Sequence, residues 1–476
     1  MLLFDRQISV FHLIFRKIYA IIQTGDFMEN YKIILQKLAD AGYQAFLVGG
    51  CVRDKILGRE VHDYDITTDA LPEQIIEVFS GFRTVPTGIK HGTVTVIAEG
   101  QPFEVTTFRI DGKYSDSRRP DSVSFTGNLI DDLARRDFTM NAVAMDIDGK
   151  IYDPFGGRED IENKIIKCVG EPALRFNEDA LRILRAVRFS SVLGFGIEEN
   201  TSSALMKLRG KLDGISRERI REELDKLICG ENLIPVMLGY REIIAQIIPE
   251  MRACFDFDQR SHFHMYNVYE HIVRSMNSAP KNSPFLRRVM LFHDIGKPPK
   301  FTVDENGEGH FKGHAGLSAD MCREIMKNLR YDNNSIERTC LLIAHHSDKI
   351  HNDVQIKRLV SQIGEGNFFL LMQIKRFDNY GKRPFVLKEF EEFERHENAL
   401  REFIRNNECM HISQLEINGN DLKNLGFSGR AVGDMLGELL DNIIEGRLEN
   451  QRDLLLEYAS RGNLRPCAES ERNAVK

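Results

Sequence analysis

Strand-forming patterns in this 476-residue chain are confined to its first third. Short runs rich in β-branched and apolar residues occupy 45–48, 62–66, 94–98 and 103–107, set off by glycine-bearing turns. Beyond about Glu159 such runs fade. Segments 177–193, 216–229, 267–276, 286–292, 315–329 and 333–344 carry apolar residues at helical spacing, as does the stretch 385–459. A chain divided in this way cannot form one large sheet or barrel. The expected fold class is an α+β head, a small mixed sheet with helices, followed by a long all-α region.

Hydrophobic residues make up 42% of the chain and charged residues 28%, a composition that folds and buries a core. The net charge of −7 offers no general basic surface for a nucleic acid, so any RNA-binding residues must be gathered locally. Eight cysteines are scattered without CxxC spacing, which suits a reducing, cytoplasmic setting and argues against a zinc ribbon. Residues 10–22 are apolar but broken by His12, Arg16 and Lys17, too short and interrupted to span a membrane. Residues 1–27 read as an upstream extension with Met28 as the start; a short amphipathic helix is the alternative.

Asp63 and Asp65 lie two apart on an expected strand, which puts both carboxylates on one face. Such a pair can bridge two Mg²⁺ ions, one activating an attacking hydroxyl and one neutralising a leaving pyrophosphate. Taken alone, two nearby aspartates are usually surface charges. Upstream, however, Gly49-Gly50-x-x-Arg53 stands at a strand-to-helix turn, where Gly50 lets backbone N–H groups approach a phosphate. Arg53 is expected to pair with Asp63, Asp65 or a phosphate. Glu104, on a later strand, is a candidate third acidic group. Arg135 and Arg136 are candidates for holding a triphosphate and Asp137 for accepting from a ribose hydroxyl. The same cluster would serve equally as ion pairs at a helix end.

Glu178-Asp179-x-x-Arg182 is the most informative cluster, because Asp179 and Arg182 are neighbours if both lie on one helix. Their carboxylate accepts and their guanidinium donates. Cytosine and adenine each present an amino donor beside a ring-nitrogen acceptor and match that pair. Uracil and guanine present the reverse and would leave polar groups unpaired, a mismatch that rejects strongly. Arg185 and Arg188 continue the row from Arg182 as nucleotide-binding candidates that would also line an RNA groove. Arg217, Arg219 and Arg221 read instead as a helix surface stitched by Glu/Arg pairs.

Together with Asp153-Pro154-Phe155-Gly156-Gly157, these motifs occur in the order of the class II tRNA nucleotidyltransferases, and the chain from Met28 to Leu456 resembles that family of CCA-adding enzymes and poly(A) polymerases. The resemblance implies a catalytic head over 28–158 and a helical neck over 159–255 carrying the base-reading residues. It further implies a body over 256–385 and an RNA-binding tail over 386–476. It implies catalytic metals on Asp63 and Asp65, triphosphate and ribose on Arg135, Arg136 and Asp137, and Glu178 steadying Arg182. The expected activity is addition of CMP, CMP and AMP from CTP and ATP to the tRNA 3′ end. The polar segment 111–120 falls where the family keeps a loop that helps switch from CTP to ATP. Rival readings are a poly(A) polymerase or A-adding specialist on the same fold, an HD phosphohydrolase with a vestigial head, and a non-catalytic RNA-binding protein.

The body carries a second pattern, His293-Asp294 with His271, His314, His345 and Asp378 around it. It resembles the way HD-domain phosphohydrolases hold a divalent metal, here Mn²⁺, Ni²⁺ or Mg²⁺. Of the adjacent His345 and His346, the former is taken as the ligand. His262, His264 and His310 are expected to be solvated or to back the ligands.

Overall fold

The computed structural model describes residues 30–112 and 123–463. The expectations for residues 1–27 and for 113–120 of the polar loop lie outside the described residues, while Asp111 itself ends a strand. The chain divides into two compact units, one up to Ile247 and one from Ile248.

The first unit opens with α1 (Asn30–Asp40), β1 (Ala45–Val48), α2 (Gly50–Ile56), β2 (Asp65–Thr68) and α3 (Pro72–Val78). There follow β3 (Arg83–Gly88), β4 (Thr93–Ala98), β5 (Gln101–Thr107), β6 (Arg109–Asp111), β7 (Val123–Phe125), α4 (Leu129–Ala134), β8 (Ala144–Met145) and β9 (Ile151–Tyr152). Seven strands form one sheet in the order β3-β4-β5-β2-β1-β8-β9. Only β2 and β5 run parallel in it. The unbroken apolar run of β1 follows from its place inside this sheet with both faces covered. Leu47 packs with Ile66, Val94, Val96, Phe103 and Val105, while Phe46 and Val48 face a second cluster with Phe108, Leu129 and Leu133.

One strand expectation needs correction. The strand expected over 62–66 runs instead from Asp65 to Thr68, so Asp63 precedes it. β2 pairs with β1 through Leu47↔Ile66, and β1 ends where Gly49 turns the chain at φ 79, so β1 offers nothing to pair with the residues before Asp65. The sequence reading also passed over β3, whose Pro86 is tolerated because β3 is an edge strand.

The unit continues through α5 (Gly157–Glu162), β10 (Ile165–Ile166), α6 (Pro172–Glu178), α7 (Leu181–Leu193), β11 (Gly196–Ile197), α8 (Glu199–Leu208), α9 (Arg217–Ile228), α10 (Leu233–Gly239) and α11 (Arg241–Ile247). The single helix expected over 177–193 is in fact α6 and α7. Asp179 lies in the break between them in extended conformation (φ −136, ψ 104), and its carboxylate accepts from the first amide of α7, Leu181 N, at 3.0 Å. Aspartate favours such an end because its short side chain meets an amide with no partner inside the helix.

The second unit comprises α12 (Val268–Ser278), α13 (Pro284–Phe292), a short β12–β13 hairpin (Thr302–Val303 with Gly309–His310), α14 (His314–Asn328), α15 (Asn333–His345), α16 (Asp353–Ile363), α17 (Glu365–Tyr380) and α18 (Phe390–Arg405). It ends with α19 (Gly419–Asn424), α20 (Arg430–Ile444) and α21 (Arg452–Asn463), which share a small core of Leu422, Leu439, Leu440 and Leu455. α12 packs on α13 and α17, and α14 lies along α15. Among the described residues, no helix is long and apolar enough to cross a membrane.

Candidate active site and a histidine cluster

A cavity of about 430 Å³ in the first unit is lined by Gly49, Gly50, Arg53, Asp65, Arg135, Arg136, Asp137, Asn141, Asp179, Arg182, Arg185, Arg188 and Phe189. Residues from Gly49 to Phe189 thus converge from the turn after β1, α2, β2, the end of α4 and α7 on one cleft. It gathers the nucleotide-binding residues expected from sequence; Glu178 stands behind the lining, paired with Arg182 at 2.7 Å. Six arginines face three aspartates here, so a chain of net charge −7 holds a locally cationic pocket.

The acidic edge is built by β2 and β5. Their parallel register sets Asp65 directly beside Glu104, with Asp63 exposed just before the strand. Burial raises the pKa of Asp65; nearby Asp63 adds to that rise and the Arg136 guanidinium opposes it. Burial likewise raises Glu104, helped by the charges of Asp65 and Asp63. An acidic edge on which the pKa values of Asp65 and Glu104 are held up by burial and neighbouring negative charge fits a divalent cation, and carboxylate oxygen suits Mg²⁺. Opposite them, a Cβ on Gly49 would sit 3.0 Å from Arg136 Nη1, in a backbone conformation that side chains rarely adopt. Glycine is therefore what brings this turn against the guanidinium.

The arginines are held by carboxylates the sequence reading had not assigned. Arg53 pairs with neither Asp63 nor Asp65. It donates to Asp54 through Nε and Nη2, both at 3.0 Å, and to Asn141 Oδ1 at 2.8 Å. Fully buried Asp132 accepts from Arg135 at 2.7 Å and from Arg136 at 3.3 Å. Burial works against its charge, yet those two guanidiniums lower its pKa. Asp137 accepts from Phe138 N and Asn141 Nδ2 on Oδ1, and from Arg185 Nε and Nη2 on Oδ2. Its expected ribose contact would have to share oxygens already engaged by Arg185 and Asn141. Glu223, on α9, holds Arg188 at 2.8 Å and lies 3.6 Å from Arg185. Asp132 and Asn141 lie within four residues of the Arg135–Asp137 cluster, but nothing in the sequence marked Glu223 as the partner of Arg188 across the fold.

Asp179 and Arg182 do not pair with each other. Asp179 accepts from Leu181 N and Arg219 Nη1 on Oδ1 and from Arg219 Nη2 on Oδ2. Arg182 donates from Nη1 to Glu178 Oε2 and Arg175 O, and from Nη2 to Arg135 O. These bonds fix both groups. A guanidinium has five N–H donors and a carboxylate about four acceptor sites. Arg182 therefore keeps Nε–H and one Nη2–H, and Asp179 one site on Oδ2, without a partner among the described residues. A donor and an acceptor remain available on the cavity wall.

The second unit holds the histidine cluster. His271 comes from α12, His293 and Asp294 follow α13, His314 opens α14, His346 follows α15 and Asp378 lies on α17. His271 Nε2 is 3.0 Å from both Asp294 Oδ2 and Asp378 Oδ1. The expected ligand His345 is not part of this group. Its Nδ1 is 2.7 Å from Asp348 Oδ2, while His346 Nε2 lies 3.5 Å from Asp294 Oδ1. The helical turn after Ile343 decides between the adjacent rings, since His346 Nδ1 donates to Ile343 O and so aims its other nitrogen inward. A Cβ on Gly381 would come within 2.7 Å of His271 Nδ1, so glycine there lets the imidazole donate to Gly381 O. Burial opposes protonation of His293, but Asp294 and Asp378 outweigh it and push its pKa up to about 9. The pocket thus attracts positive charge. His262 and His310 are exposed and paired with Glu308 and Asp304. His264 stacks edge-on against His271 at 4.9 Å.

Residues 45–167 match the family model for the poly(A) polymerase head domain, and residues 311–459 match that for tRNA nucleotidyltransferase domain 2. Over 234 residues the chain is 48% identical to a CCA-adding enzyme of Lactobacillus helveticus, a stretch covering 46% of this chain and 58% of that protein. Over 197 residues it is 52% identical to one of Geobacillus thermodenitrificans, covering 41% and 48%. These matches span about half the length of both relatives. The similarity to the CCA-adding enzyme of Ligilactobacillus salivarius extends further, 32% identity over 438 residues, covering 90% of this chain and 95% of that one. The fold resembles the crystal structure of the Bacillus stearothermophilus CCA-adding enzyme in complex with CTP, with a TM-score of 0.65 and 28% identity over 91% of this chain and 97% of that one. Likeness along nearly its whole length places the chain in the CCA-adding enzyme family of tRNA nucleotidyltransferases.

Proposed function

We propose that the protein adds CMP, CMP and AMP from CTP and ATP to the 3′ end of tRNA. The observation that carries this reading is the joining, in one cavity, of Asp65, one member of the carboxylate edge, with a rigid donor–acceptor pair. Asp63, Asp65 and Glu104 would hold Mg²⁺, which supplies activation of the RNA 3′-hydroxyl and charge neutralisation of the pyrophosphate that leaves. Arg135, Arg136, Arg185 and Arg188 supply cationic charge for the triphosphate. Arg182 Nε–H and Nη2–H face an acceptor such as cytosine N3 or adenine N1, and Asp179 Oδ2 takes the neighbouring amino group. Selection needs no nucleic-acid template because Glu178 and Arg219 hold the two groups in place. That the 28% identical relative was solved in complex with CTP supports a nucleoside triphosphate as substrate. Poly(A) synthesis and A-only addition are less well supported, since full-length relatives are CCA-adding enzymes. Arg182→Ala should raise misincorporation of UMP and GMP by roughly 10–100-fold, the equivalent of one buried group losing its partner. Unchanged rejection of UTP and GTP by that variant would refute the base-reading role.

The His–Asp cluster supports a second reading, a metal-dependent phosphohydrolase in the body. Buried imidazoles and carboxylates fit a divalent ion of the Mn²⁺ or Ni²⁺ kind, which when bound supplies an activated water. Lys297, 2.7 Å from Asp294, adds positive charge beside the cluster. Hydrolysis of a phosphate ester that persists in Asp65→Asn and is lost in Asp294→Asn would support this reading. Hydrolysis unaffected by Asp294→Asn would refute it.

A further inference from the structure

Among the described residues that line the arginine-rich cavity, only Phe189 carries an apolar side chain. Three guanidiniums gather on its ring. The guanidinium carbon of Arg188 lies 3.6 Å from the ring centroid, that of Arg53 5.2 Å and that of Arg185 5.4 Å. Arg53 comes from α2, the other two from α7. Residues adjacent on a helix point about 100° apart, so Arg188 folds back along its own helix to cover the ring. At 3.6 Å its planar head touches the π face, whose negative quadrupole attracts a cation. The ring is buried and is itself braced edge-on by Phe138 at 5.9 Å.

The carboxylates alone leave Arg188 loosely held. Asp137 takes Arg185 through Nε and Nη2, and Arg53 is taken by Asp54 and Asn141. Arg188 makes a single hydrogen bond among the described residues, from Nε to Glu223 Oε2 at 2.8 Å, and Arg185 Nη1 lies 3.6 Å from the other oxygen of that carboxylate. Burial lowers the pKa of Arg188; Glu223 opposes that fall and the neighbouring Arg185 adds to it. One bond at Nε fixes a point and leaves the guanidinium free to turn about it. Contact with the ring supplies the second constraint, because it sets the plane of the group. Both Nη groups are then left to meet an anion in the cavity. A further carboxylate in place of the ring would also hold the cations, but it would cancel the charge that a triphosphate needs. A π face holds them and leaves that charge in place.

We propose that Phe189 is a positioning residue for nucleotide binding, whose π face orients Arg188, with Arg53 and Arg185 beside it, toward the triphosphate without neutralising them. This rests on the cleft being the nucleotide site and adds the group that orders its cations. The ring touches no reacting atom, so its effect falls on nucleotide binding rather than on the chemical step.

The test replaces Phe189 in the full chain by mono-, di- and trifluorophenylalanine, which withdraw electron density from the π face while the ring keeps its shape. Dissociation constants for ATP and CTP are measured by calorimetry with Mg²⁺ and without tRNA, and kcat and KM are measured for nucleotide addition. The expected result is binding that weakens stepwise with each fluorine, reaching on the order of 10-fold, with KM following and kcat nearly unchanged. Phe189→Leu, apolar but without a π face, should weaken binding at least as much. Dissociation constants that stay flat across the series while the parent binds nucleotide, or a fall in kcat at constant affinity, would overturn the role of the ring and leave the nucleotide site standing. A parent chain that binds neither ATP nor CTP would overturn both. If Phe189→Leu fails to fold, as judged by circular dichroism, the fluorinated series decides the matter.

Discussion

Asp137 accepts four hydrogen bonds with its two oxygens while lying almost wholly out of solvent. Burial alone would raise its pKa, but Arg185 and the Asn141 amide reverse the balance and hold it well below the usual carboxylate range. A carboxylate with a depressed folded pKa contributes stability that is complete above its unfolded value, near pH 3.9, and is lost as the pH falls toward the folded value. Asp137→Asn should therefore cost about 1.5–3 kcal/mol at neutral pH. The gap between parent and variant should narrow below about pH 4. Parallel stability curves down to pH 2 in denaturant titrations would contradict this. Asp65→Asn should behave differently, because that carboxylate is strained by its neighbours rather than paired. Losing a metal ligand removes several kcal/mol of charge stabilisation, on the order of a 10³-fold loss of rate, with folding intact. At this scale the motif residues were legible as types and spacings. What the sequence could not display was their partners: Glu223 reaches Arg188 across 35 positions, and Arg219 reaches Asp179 across 40. Choosing between His345 and His346 also needed the phase of the helix end, which neighbouring identical residues conceal.

The elements explain both the successes and the misplacements of the sequence reading. β1, α2, β4 and β5 follow from apolar runs and glycines that local chemistry already favours. Asp63 and Asp65 do not share a strand face, because pairing is a property of two strands and β1 stops at Val48. Helical periodicity continues across 177–193, yet Asp179 breaks it by giving its carboxylate to Leu181 N and Arg219 instead of the turn above. α5 shows how packing fixes the cleft from behind. A Cβ on its first residue, Gly157, would fall 2.1 Å from Thr139 O and 2.6 Å from Val143 Cγ2. Thr139 begins the short turn that ends at Asn141, the residue tying Arg53 to Asp137. Gly157→Ala should cost about 1–3 kcal/mol through overpacking, and it should raise KM for nucleotide more than it lowers kcat. A stability loss with unchanged KM would separate the turn from the site.

For the molecule as a whole, the fold class was the most legible property, since the loss of strand patterning after the first third is spread over hundreds of residues. Charge was the least informative. An overall −7 conceals a cleft where six arginines face three aspartates, because net charge says nothing of how the fold distributes it. Each compact unit carries its own constellation, the arginine-lined cleft before Ile247 and the histidine cluster after it. The most direct test of nucleotide addition is primer extension by the purified full chain with Mg²⁺. The substrates are tRNA transcripts lacking CCA, ending in C or ending in CC, with each nucleoside triphosphate supplied singly and then all together. Growth of the shortest transcript by C, C and A followed by a stop is the expected result. Extension only of the CC-ending transcript by one A, a long A ladder, or no extension at all would contradict CCA addition.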